Sequence, residues 1–207
     1  MDYTLEVITQ PTIPDTWLGK AKRQLQIEAD ESVDDMMLAD LLEDAAEFVG
    51  DRSDIALLPM GFRLTVPRFP CSSLTPIYLP RPPLVTVDQI TYLDTTGARQ
   101  TLDPADYEIS TGQVSMVHAA TDQYWPSVKC REDSVQIDYT AGASTPRIAT
   151  RAILLLVGHW FLNREASTEK RLADIPMGVD ALISQLQPGD DFRRPIQEDL
   201  HSDHYHA

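Results

Sequence analysis

The chain has 207 residues, 43% apolar and 24% charged, the balance of a folded globular protein long enough for one ordinary domain or two small ones. Lys and Arg number 17 against 32 Asp and Glu, a formal charge of −15. So acidic a surface repels phosphate, which argues against sequence-specific DNA binding and against adhesion to anionic membranes. Two cysteines make no disulfide framework. The start, Met1 to Glu6, has neither the basic nor the apolar region of a signal peptide. The most apolar stretch, Ile153 to Leu162, is too short to span a bilayer, and the expectation is a soluble intracellular product.

The first sixteen residues read as an extended arm, because Pro11 and Pro14 suit a polyproline-like or edge conformation and exclude a helix interior. Thr16 is placed to cap a helix over about 16–28, with Leu18, Ala21, Leu25 and Ile27 on one face and Lys20, Lys22 and Arg23 elsewhere. A second helix, about 32–50, opens on Ser32-Val33-Asp34-Asp35, a capping box with Asp in place of Glu. Its stripe is Val33, Met37, Leu41, Ala45, Phe48 and Val49, widened by Leu38 and Leu42. Asp40, Glu43, Asp44 and Glu47 cover the other side, as a solvated face does.

Over about 57–140 the period turns from helical to alternating. Phe62–Val66, Ile77–Leu79, Val85–Asp94, Arg99–Leu102, Tyr107–Ser110, Val114–Val117 and Val135–Tyr139 read as strands of an antiparallel meander. Arg81-Pro82-Pro83 makes a stiff corner before the longest of them. Pro146 suits the start of a third helix, about 146–164, which is apolar nearly all round. Ile148, Ala152, Leu155, Leu156 and His159 share one face, and Ile153, Leu154, Val157, Trp160 and Phe161 cover most of the rest. Such a helix is expected at the centre of the core. A last helix, about 176–187, turns Val179, Leu182, Ile183 and Leu186 inward before Pro188-Gly189 ends it.

This order predicts an α+β fold: a small helical bundle formed by the N- and C-terminal helices, with an inserted antiparallel β-meander and an extended C-terminal tail. Residues 1–187 form one domain and 188–207 the tail. The expected core is Leu41, Phe48, Ile148, Leu155, Leu156 and Trp160.

Chemistry-bearing motifs are scarce. There is no Gly-rich phosphate loop, G-x-S-x-G elbow, C-x-x-C or H-E-x-x-H, so no catalytic residue, cofactor or metal site is assigned. His201, His204 and His206, beside Asp199 and Asp203, have ligand-like spacing, but no predicted element orients them, and a solvated tail is the preferred reading over a metal-dependent hydrolase. His159 reads as a hydrogen-bonded core or interface histidine, and Cys71 and Cys130 as reduced thiols. The tail after Asp190 is either plain disorder or an arm that orders on a partner through Phe192, Ile196 and Leu200.

Several segments, in order and spacing, carry a resemblance. They are Leu5-Glu6-Val7-Ile8-Thr9-Gln10-Pro11, the Leu18–Leu25 helix, Ala45–Val49 ("AAEFV"), Leu79-Pro80-Arg81-Pro82-Pro83-Leu84 and Leu102–Tyr107 ("LDPADY"). Tyr124-Trp125-Pro126, Tyr139-Thr140-Ala141-Gly142, Ala152–Ala166 ("AILLLVGHWFLNREA") and Pro176–Leu182 follow. Together they cover about 1–187 and resemble the head–tail connector, or adaptor, proteins of long-tailed phages, prophages and gene transfer agents. The resemblance implies a structural protein in the neck of a virion or virion-like particle, without catalysis or cofactor. It implies a homo-oligomeric ring, typically a dodecamer, beneath the portal protein, with a stopper or tail-side neck protein below and DNA passing through the channel without specific binding. It also implies that the C-terminal segment grips the portal, which here points to Phe192, Arg193, Arg194, Ile196 and Leu200. A stopper or tail-completion protein is the alternative, against which the apolar third helix counts.

Overall fold

The computed structural model describes residues 3–112, 114–129, 131–163 and 176–187. Among them the chain forms four α-helices and eight strands, divided into two compact units. The first holds residues up to Gln10 and Met60–Ala141; the second holds Pro11–Pro59 and Gly142–Gln187.

The first unit is built on an antiparallel five-stranded sheet. Its strands are β1 (Thr4–Thr9), β2 (Met60–Val66), β4 (Leu84–Leu93), β5 (Arg99–Thr101) and β8 (Val135–Ala141), in the order β1-β2-β8-β4-β5. A three-stranded sheet of β3 (Ile77–Leu79), β7 (Ser115–Ala119) and β6 (Tyr107–Ser110) accompanies it. The extended N-terminal arm is an edge strand, whose pairing with β2 sets Leu5 opposite Leu64 and Val7 opposite Phe62. The expected meander is corrected: the last strand, β8, inserts between β2 and β4. Alternation tells a strand which face to bury and says nothing about which neighbour it pairs with.

Register makes β8 the axis of the sheet. Leu64, Ile137 and Ile90 form one cross-strand row, and Phe62, Tyr139 and Val87 the next; all six are buried. Phe62 and Tyr139 stack with ring centroids 5.5 Å apart, a cross-strand aromatic pair of the kind that fixes register. The Tyr139 hydroxyl donates to the Pro80 carbonyl at 2.7 Å, anchoring the corner in which Arg81 takes φ 61° and the Pro82–Pro83 bond is cis.

The second unit contains α1 (Asp15–Leu25), α2 (Asp35–Ser53), α3 (Arg147–Leu162) and α4 (Met177–Ser184). All four contribute to one hydrophobic cluster: Trp17 and Ala21, Leu38 to Val49 on one face of α2, Ala149 to Trp160 on one face of α3, and Val179 and Ile183. Helices from both ends of the sequence thus share a core. Ile55, Leu57 and Leu58 belong to it as well, so the β-rich segment begins at Met60 and not near 57. Of the expected core residues, Leu41, Leu156 and Trp160 are buried, and Phe48 packs partly buried against Trp160, edge to face at 6.2 Å.

Ile148 and Leu155 are both half-buried: α3 meets its neighbours through the arc of Ala149, Ala152, Ile153, Leu156, Val157 and Trp160, and the two flank that arc at 100° per residue. Leu155, like Phe48, packs against the cluster, and Ile148 is the correction. The start of α2 also differs. Its N-cap is Asp34, with no side-chain cap, and Val33 is exposed. Lys22 of α1, only 6% exposed, holds this end instead. Its ammonium pairs with Asp35 at 2.6 Å and donates to the Glu31 carbonyl at 2.6 Å. A buried lysine so partnered satisfies the rule that buried charge is paired.

Candidate interaction surfaces

Surface features distinguish the described residues of this chain. Among the described residues no group of three or more His, Cys, Asp and Glu side chains is placed to hold a metal ion, and no helix is long and apolar enough to cross a membrane. His159 sits half-buried on α3, its ring nitrogen 3.4 Å from the Asn163 amide. Cys71 is exposed as a free thiol. Phe192, Arg193, Arg194, Ile196 and Leu200, with His201, His204 and His206, lie outside the described residues.

In the helical unit the outer arc of α3 forms one wall of a cleft of about 550 Å³, and α1 forms the other. Lys20 and Gln24 come from α1; Arg147, Ile148, Thr150, Arg151, Leu154 and Leu155 come from α3. Ile148, Leu154 and Leu155 therefore give a cationic cleft an apolar lining, and Leu154 and Leu155 also pack, partly buried, against the cluster. The outer arc of α2 has the opposite character. Asp40, Glu43, Asp44 and Glu47 are all exposed, and Met36, one turn earlier on the same stripe, is 81% exposed.

In the β unit two kinds of surface stand out. The sheet's edges are β1, where Val7 and Ile8 are exposed, and β5, exposed throughout. Free strand edges offer unpaired backbone groups to a partner strand. Away from the edges Leu74 and Tyr124 are 87% and 84% exposed. Next to Tyr124, Trp125 stacks on Phe69 at 4.8 Å and nearly parallel.

The polar face of the sheet is internally satisfied. Arg63 on β2 donates twice to Asp138 on β8, both at 2.7 Å, and the Gln89 amide on β4 donates to the same carboxylate at 2.9 Å. The Arg63 guanidinium, then the Gln89 amide, hold the Asp138 carboxyl below the usual carboxylate range against the opposing cost of burial. Asp138 reads in the sequence as an ordinary outward strand position; its burial comes from being on the central strand. Lys22, expected off the apolar face of α1 with Lys20 and Arg23, is instead buried; Trp17 joins that face, and its recurrence with Ala21 and Leu25 four apart is the signal for it.

No protein-family model and no curated protein matches the chain. Solved structures do. The fold is shared with chains of gene transfer agent particles. One, in the neck of an empty particle with C6 symmetry, aligns at a TM-score of 0.69 and 22% identity over 89% of this chain and 95% of its own. A second, in the virion of a native particle, aligns at 0.68 and 22% over the same shares. A third, in the neck of a native particle with C12 symmetry, aligns at 0.63 and 21% over 88% and 94%. Each of the three aligns over most of both chains, so the mixed helical and antiparallel arrangement as a whole is shared.

Proposed function

We propose that this chain is a structural head–tail connector, or adaptor, subunit in the neck of a phage-like particle. The observation that carries the reading is the whole-chain fold shared with a chain of a gene transfer agent neck, in line with the motifs that resemble adaptors. In this reading copies form a ring, a dodecamer in keeping with the C12 symmetry of one such neck, between the portal protein and the tail-side neck protein. DNA crosses the ring without being bound. The charge supports this role: a chain of formal charge −15 repeated around a channel presents a like-charged wall on which phosphates do not stick. The helical unit supplies self-contacts, and residues 188–207 supply the portal contact through Phe192, Arg193, Arg194, Ile196 and Leu200.

Deleting the gene for this chain in a producing host tests the proposal. DNA-filled heads and separate tails should accumulate, and electron microscopy of complementing particles carrying a tagged copy should show the tag as a ring at the head–tail junction. Complete particles at normal yield without the chain would remove the proposal.

A further inference from the structure

We infer that the cationic cleft between α1 and α3 receives the acidic outer face of α2 from a second copy of this chain, so that helical units associate head to tail; this rests on the neck reading only in taking the chain to work as many copies.

The cleft is uneven in a way that calls for a partner. Three cations, Lys20, Arg147 and Arg151, line it with no carboxylate among the lining residues, although acids outnumber bases 32 to 17 in the chain. None of the three makes an ion pair among the described residues. Ile148, Leu154 and Leu155 give it an apolar lining. A wet cleft of that kind fits an occupant with both a carboxylate row and an apolar tip.

The chain carries such an occupant. Met36, Asp40, Glu43 and Glu47 recur at four, three and four residues along α2, one stripe on a helix. The acids are exposed, and none of them is ion-paired among the described residues. The stripe is about 16 Å long at 1.5 Å per residue. Its exposed methionine is a flexible apolar side chain suited to irregular gaps, and its carboxylates match the fork geometry of the two arginines.

Placement sets the symmetry. α2 and α3 meet through their buried arcs in one cluster, so their outer arcs face away from each other and a chain cannot fill its own cleft with its own stripe. Two different patches on opposite sides make a heterologous contact, which yields a ring where the rotation closes and a filament where it does not. Duplex DNA is the competing occupant. Its phosphates would suit the cations but not the apolar lining, and the rest of the acidic surface repels it.

Sedimentation velocity of the full chain at high protein concentration in about 0.15 M salt is the test, since a Debye length of about 8 Å damps the repulsion between net charges and leaves contact pairs largely intact. The native chain should self-associate. Arg147→Glu/Arg151→Glu and Glu43→Lys/Glu47→Lys should each weaken association by about tenfold or more. The second result is discriminating, because that variant is less acidic and general repulsion alone would make it associate more. Mixed together, the two variants should associate again by alternation, because the native stripe of one fits the native cleft of the other and the reversed pair is complementary as well. The four changes in a single chain should restore association, which also shows that the replacements are compatible with folding. A native chain that stays monomeric, either variant associating like the native chain, mixtures that associate no better than either variant alone, or duplex DNA binding that disappears with Arg147→Glu/Arg151→Glu would overturn the inference. Locating the tagged chain in particles separates the two claims: absence from the neck sinks the connector reading, whereas native occupancy with unaltered variant association sinks only this contact.

Discussion

Asp138 is the buried carboxylate of the central strand of the five-stranded sheet. It is 6% exposed, and its two oxygens accept the bidentate Arg63 pair and the Gln89 amide. Removing the carboxylate leaves a guanidinium without its partner inside the sheet, so Asp138→Ala should cost about 2–3 kcal/mol at pH 7, Arg63 being partly open to solvent. The pH dependence has a defined sign. The folded carboxyl lies below its ordinary value, so its contribution is complete above the unfolded value of about 4 and is lost as pH falls through the folded one. Denaturant titrations from pH 7 down toward pH 3 should show native and variant stabilities converging, and a constant gap would contradict this assignment. Gly142 makes a different demand. Its φ is +92°, and a Cβ there would strike the Leu58 carbonyl oxygen, a backbone atom with little room to give. Gly142→Ala should therefore cost about 3 kcal/mol or more, combining left-handed strain with overpacking. Gly97→Ala, at a similar φ but facing only the flexible Lys129 side chain, should cost about 1 kcal/mol. Thermal or denaturant unfolding of the pair checks the contrast, and equal losses would mean that the Leu58 approach is not tight.

The elements were legible to different depths. Helical periodicity located α1 to α4 within a few residues, because a buried stripe at 3.6 spacing depends on the helix alone. Strand positions were legible for the same reason, whereas their order was not: β8 reads like any half-buried strand, and only the fold reveals neighbours on both sides. The cleft was hidden behind an excess of apolar residues in α3. Leu155 and Leu156 are adjacent and chemically identical in the sequence, yet Leu156 is fully buried in the cluster and Leu155 lines the cleft. That difference is measurable. Leu156→Ala should destabilise by about 2–5 kcal/mol, since it empties a packed site. Leu155→Ala should cost less, about 1 kcal/mol, because only part of the side chain packs against the cluster and the rest faces the cleft. Equal losses in denaturant midpoint would put Leu155 back in the core and remove the apolar lining of the cleft.

At the scale of the molecule, each unit carries its own candidate surfaces: the helical unit a cationic cleft and an acidic face, and the β unit, among the described residues, unpaired strand edges and exposed Leu74 and Tyr124. The sequence conveyed the acidity and the resemblance that suggest a connector, but no composition argument could say which surfaces meet other chains, since a patch is a property of the folded arrangement. The portal contact proposed for residues 188–207 rests on sequence and is open to a direct test. The segment after Pro188-Gly189 offers Phe192, Ile196 and Leu200 as apolar anchors and Arg193 and Arg194 as partners for carboxylates. So few apolar side chains add little to a core, and a single such arm binds weakly. A ring of arms binds by avidity, because the first attachment raises the effective concentration of the rest. Deleting residues 190–207 should therefore leave the melting temperature within a degree or two of the native chain's, a change of about 0.5 kcal/mol or less, and yet abolish attachment to DNA-filled heads. Phe192→Ala with Arg193→Ala and Arg194→Ala should lower attachment steeply with copy number, as avidity requires. Truncated chains that still join heads to tails at normal yield would show that the portal is held by another surface, and a large fall in melting temperature would show that the segment belongs to the fold.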